Sequence, residues 1–233
     1  MNLERPTAAL RRLFVVAWLL WLSACGGAAA DAPAAGNDSY ARRAAAQLEV
    51  EALPGTGGGP YAGRELDLPL VPPDFVLADT AGEPFDFARD ATRPVTLLYF
   101  GYASCPDVCP AHMAAIGKAL SELPAAQAEQ VQVLFVSVDA VNDTPETLDD
   151  YLDNFSPDFV GLTGTADEVN AALQAVGLPP TAISDTDQFP PQHPSDVLVY
   201  TADHRAHVTY PFGTPPGAYV EDLPKLISAD WNA

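Results

Sequence analysis

Residues 95–110 read VTLLYFGYASCPDVCP, and the fold turns on them. Val95 to Phe100 is an unbroken apolar run of strand length, as a strand covered on both faces requires. Two cysteines follow, Cys105 and Cys109, with three residues between them and a proline after each. From Pro110 to Leu123 the apolar residues Met113, Ile116, Leu120 and Leu123 recur at helical spacing, and Pro124 stops them. A buried strand passing into a helix through a pair of thiols is one β–α step of an α/β fold.

The flanking sequence extends that step. DFVLADTAGEPF, from Asp74, predicts a strand, a turn at Ala81-Gly82 and a short return strand. VQVLFVSV (131–138) predicts a second buried strand. Thr144-Pro145 opens a helix with proline at its first position and Leu148, Tyr151, Leu152 and Phe155 on one face. FVGLTG is a short strand, and TADE (165–168) is a capping box for a helix that ends at Gly177. A proline-rich loop over 178–196 leads to VLVYTA and HVTYPF, a hairpin turning at Asp203-His204. Pro224 is expected to break or shift the final helix. The order implies an α/β fold: a mainly parallel central sheet with an antiparallel edge hairpin and helices on both faces. Its carboxyl edge, where open α/β sheets bind and react, carries the cysteines.

The chain has 233 residues, 48% of them hydrophobic, enough for one domain with a substantial core. Its net charge of −20 leaves no basic stripe to neutralise phosphates, so nucleic acid is not an expected partner. Arg5, Arg11 and Arg12 precede the apolar run LFVVAWLLWLSA (13–24), too short to span a bilayer and suited to a signal peptide. The run ends in LSAC, similar to the lipobox of bacterial lipoproteins, in which Cys25 would receive lipid and become the mature N-terminus. The expected organisation is a signal peptide over 1–24, a lipid-anchored Ala/Gly/Pro-rich tether over 25–73 and a folded domain over 74–233. Within the tether, YAGRELDLPLVPP can lie along the domain as an extended lead-in. This arrangement places the protein outside the cytoplasm on a membrane, where disulfides persist.

Two thiols this close have several uses. A structural staple is the weakest, because a CxxxC loop removes little unfolded-chain entropy. A redox pair gains from a helix N-terminus, which acidifies a thiol. A metal pair needs a further ligand: residues four apart can share a helix face, and two thiolates form a soft pair suited to Cu(I) or Zn. Among the four histidines, His112 follows Cys109 on the helix, and His204 and His207 flank the hairpin turn. His193 lies just before a late strand, at the same sheet edge as the cysteines if the topology holds. Spacing alone does not single out any of the four.

GYASCPDVCP, SVDAVNDTPETLDDYL, FVGLTGT and QHPSDVLVYTADHR together resemble the Sco/SenC family of copper chaperones, over about Asp74 to Ile227. The resemblance implies a thioredoxin-like fold and one copper, as Cu(I) or Cu(II), held by Cys105, Cys109 and His193. It implies delivery to the copper-bearing subunit of cytochrome c oxidase or another copper-receiving protein. It also implies that Cys105 and Cys109 can form a redox disulfide. The same two cysteines would serve a thiol-disulfide oxidoreductase that reduces a copper-receiving protein, and a copper-dependent sensor is a third use. Two local differences stand out: Gln192-His193-Pro194 replaces an Asp-His-Ser-like start to the late strand, and Ala140 and Asn142 stand where proline and arginine are common. Asp139, at the end of a buried strand, is a candidate to support the site or cap its own loop.

Overall fold

The computed structural model describes residues 55–56, 58–181 and 193–231. The signal peptide, Cys25, most of the tether and the middle of the 178–196 loop lie outside the described residues. Among the described residues, no helix is long and apolar enough to cross a membrane.

Among the described residues, fifteen elements form one sheet and its helices. In chain order they are β1 (Gly55–Thr56), β2 (Arg64–Leu70), β3 (Val76–Asp79), β4 (Pro84–Asp86), α1 (Phe87–Asp90), β5 (Val95–Gly101), α2 (Val108–Glu122) and α3 (Ala125–Ala128). Then come β6 (Val131–Ser137), α4 (Pro145–Asp153), β7 (Val160–Thr163), α5 (Ala166–Ala175), β8 (Val197–Tyr200), β9 (Ala206–Tyr210) and α6 (Pro216–Ser228). The sheet order is β1-β2-β9-β8-β5-β6-β7-β3-β4. β5, with all seven residues buried, lies at its centre.

The sheet is parallel only at its middle. β5 pairs with β6 and β6 with β7 in parallel, across the crossovers through α2 and α4. The β8–β9 hairpin adds antiparallel pairs on one side, as the sequence anticipates, and β3–β4 adds more on the other. β2 pairs antiparallel with β9, so residues 64–70 belong to the sheet and folded structure begins before Asp74. The lead-in is extended, as expected, and its backbone groups find partners in a strand edge.

Period-two geometry puts Leu97, Tyr99 and Gly101 on one face of β5 and Thr96, Leu98 and Phe100 on the other. Tyr99 meets His112 of α2, and Phe135, beside it on β6, meets Tyr151 of α4, so both crossover helices cover that face. α6 packs on α2. Tyr200, paired with Thr96, meets Phe87 of α1 on the opposite face. Helices therefore lie on both faces, as expected.

The caps match the sequence signals. Thr144 accepts from Thr147 N ahead of Pro145, and Thr165 and Glu168 form the capping box. Pro224 does not break α6, which runs through it to Ser228. Proline removes one backbone donor there, while Tyr219, Leu223 and Leu226 are buried on both sides of it. Burial of three large side chains, each worth roughly 1.5–3 kcal/mol, outweighs a loss of about 3 kcal/mol.

Candidate metal centre

Three segments reach the carboxyl edge of β5 and β6. The loop after β5 carries Cys105, the first turn of α2 carries Cys109, and the segment entering β8 carries His193. β8 runs antiparallel to β5, with Leu198 opposite Leu98, so the residues before β8 arrive where β5 ends. The hairpin turn of β8–β9 is at the far end of the sheet, and His204 and His207 go with it. His207 there donates to Asp203 at 2.8 Å and stacks near Trp231.

The Sγ atoms of Cys105 and Cys109 and a ring nitrogen of His193 all lie within 4.8 Å of one another. Both cysteines are free thiols, and all three residues are buried, Cys109 completely. Cys105 sits between exposed Ser104 and Pro106, so the sulfur nearest solvent is the first of the pair. The site therefore lies under a thin cover.

The imidazole is oriented for ligation. His193 Nδ1 is 2.9 Å from the Pro194 carbonyl, which can only accept, so Nδ1 carries the proton. In the neutral ring Nε2 then presents its lone pair, 3.7 Å from Cys109 Sγ. The rings of Tyr99 and Tyr102 meet that imidazole edge-on at 6.0 and 5.4 Å.

The two thiols are in different states. Asp107 caps α2 through Val108 N, which puts Cys109 in the first turn with its amide directed at Cys105 Sγ, 3.5 Å away. The Cys105 thiol is held down to about 3, foremost by the hydrogen bond from the Cys109 thiol. The amides of Cys109 and Asp107 add to this, against the opposing effect of burial. Burial, and then the hydrogen bond to Cys105 and its charge, push the Cys109 thiol up. The Cys109 thiol, helped by the amides at the start of α2, thus acidifies the sulfur one turn ahead of it and itself stays protonated.

Several further side chains surround the three ligand candidates. Tyr99 donates to Cys109 Sγ at 3.6 Å, and Tyr102 is hydrogen-bonded to Cys105. Asp143 accepts from Ala103 N at 2.9 Å and from Ser137 Oγ at 2.6 Å, tying the cysteine loop to the end of β6. Asp139 is outside the ligand group. Its carboxylate accepts from Asn142 N and Nδ2 and so caps its own loop. His112 is buried, its pKa is lowered to about 4 chiefly by that burial, and its Nε2 donates to the Ser195 carbonyl at 2.8 Å. Its place on the inner face of α2 is visible in the helix periodicity; its partner, 83 positions away, is not.

Two sulfurs and one imidazole nitrogen form a soft, three-donor set that suits copper. Comparison with known proteins agrees with that chemistry. SenC of Rhodobacter capsulatus is 39% identical over 103 residues, 44% of this chain and 45% of that one. The chain thus spans less than half of that relative. Apo Sco1 of Thermus thermophilus superposes with a TM-score of 0.61 at 32% identity, over 71% of this chain and 96% of that one. ScoI of Bradyrhizobium japonicum with copper bound gives 0.57 at 26% identity, over 67% and 99%. Residues 64–228 match the SCO1/SenC family, and the chain belongs to it.

Proposed function

We propose that this protein is a copper chaperone. It binds one copper through Cys105, Cys109 and His193 and hands it to the copper-bearing subunit of cytochrome c oxidase. The observation that carries the reading is the convergence of two sulfurs and an oriented imidazole within 4.8 Å. The solved Bradyrhizobium relative with copper bound supports it. Cu(I) suits the two sulfurs, and the imidazole extends the set to Cu(II). A three-ligand site admits a partner's ligand before its own first ligand leaves, so copper passes by stepwise exchange rather than through free solution. Oxidation of the pair to a disulfide removes two of the three donors and couples loading to redox poise.

His193→Ala in the reduced protein is expected to lose copper affinity sharply while the thermal melt stays unchanged. Equal copper retention in variant and wild type would remove His193 from the site.

A second reading has its own support in the acidic Cys105 thiol beside a resolving Cys109. In it the pair reduces the cysteines of the copper-receiving protein. Turnover of a disulfide substrate without retained metal would favour that reading, and stoichiometric copper with a sulfur-to-copper absorption band favours the chaperone.

The work takes place outside the cytoplasm, with the domain held at a membrane by lipid on Cys25. The basic n-region, the twelve-residue apolar run and LSAC support this. Cys25→Ser is expected to move the protein from the membrane fraction to the soluble one; unchanged membrane association would reject the lipid anchor.

A further inference from the structure

For His193 to reach the sulfurs, the segment entering β8 has to be held against α2. Asp196, at the β8 end of the segment, pairs with Arg64 at 3.5 Å, which ties it to β2 and not to α2. Pro194 has no N–H to give. The Nδ1 bond of His193 goes to the next residue, so it fixes the ring relative to its own backbone and to nothing else. His112 bridges the gap by donating from Nε2 to the Ser195 carbonyl, two residues past the ligand. Its own position is fixed from two sides: Tyr99 lies against the ring at 5.0 Å and Phe212 meets it edge-on at 6.0 Å. His112 and Cys109 are three apart on α2 and therefore share a face. From that one face, one side chain grips the His193 segment and the other meets the His193 ring.

We propose that His112 is a positioning residue for the metal centre: it ties the His193 segment to α2 and so sets the reach of His193 Nε2 to the two sulfurs. The proposal rests on the copper reading of the site. His112 does not touch the metal in it; its effect passes entirely through His193.

The test is a double-mutant cycle on the full-length, reduced protein with copper added alone, affinity being read by competition with a chelator. His112→Ala is expected to lose about 10–100-fold in copper affinity, as changes to a ligand's hydrogen-bonding support commonly do. Because the loss passes through His193, adding His112→Ala to His193→Ala should cost almost nothing more. His112→Gln, which can still donate an N–H to Ser195, should recover most of the affinity. An unchanged affinity in His112→Ala, or losses that simply add in the double variant, would overturn the proposal. A second readout needs no copper. The ring nitrogen NMR signals of His193 in the metal-free protein should shift or broaden in His112→Ala and return toward wild type in His112→Gln. Unchanged His193 signals would overturn the proposal even if the wild type took up no copper, an outcome that by itself would sink only the copper reading.

Discussion

Gly101 shows how finely the space beside the thiols is divided. A Cβ on it would lie 2.8 Å from Cys109 Sγ, 2.7 Å from the Tyr99 ring and 3.1 Å from Phe135. The absence of a side chain there is what lets the sulfur sit against the end of β5. Gly101→Ala is expected to cost about 1–3 kcal/mol by overpacking and to weaken copper binding by displacing Cys109. Denaturant melts and a copper titration check it, and wild-type values in both would refute the close approach. At this scale the two cysteines were legible as soon as the strand ran into them, because spacing and sheet edge are both sequence properties. The tyrosines were not. Tyr99 reads as one more apolar member of VTLLYF, and only the register that points it at α2 shows that its hydroxyl has a sulfur to serve.

Among the elements, α2 does the chemical sorting. The Cys109 thiol in its first turn, helped by its N-terminal amides, stabilises Cys105 as thiolate, while burial keeps Cys109 as thiol. At pH 7 the pair thus carries one proton to lose, so copper uptake should release about one proton from sulfur. Affinity should rise as pH rises toward the elevated Cys109 value, because protons compete with copper for that sulfur. Calorimetry in two buffers of different ionisation enthalpy measures the count; release of two sulfur protons would mean that Cys105 is not preionised. The sequence marked this helix start as acidifying, but a helix axis cannot be read closely enough from spacing to say which thiol its amides face. The capped helices were legible because Thr144 and Thr165 act on residues three positions away. Pro224 misled for the converse reason: local chemistry disfavours it, and the burial that overrides the cost comes from other parts of the chain.

At the scale of the whole molecule, long-range ties complete what the local signals begin. Asp222 of α6, fully buried, accepts from Ala62 N and Gly63 N at 2.9 Å and from the Tyr210 hydroxyl at 3.1 Å, fastening the start of β2 beneath the sheet edge. Asp222→Ala strands three donors and should cost roughly 3 kcal/mol or more, lowering the melting temperature by about 6–12 °C. A melt within a degree of wild type would show that β2 is held by other means. The same reach limits what sequence can say of the site. His193 is 84 positions beyond Cys109, and the family resemblance singled it out where spacing alone did not. Topology supplies the physical reason: β8 runs antiparallel to β5, so the segment before it must arrive at the thiols. The most direct test of that convergence is X-ray absorption at the copper edge, on the loaded wild-type protein and on His193→Ala. The account predicts two sulfurs and one imidazole nitrogen around the metal, with the nitrogen lost in the variant; an imidazole signal that survives in His193→Ala, or is missing from the wild type, would contradict it.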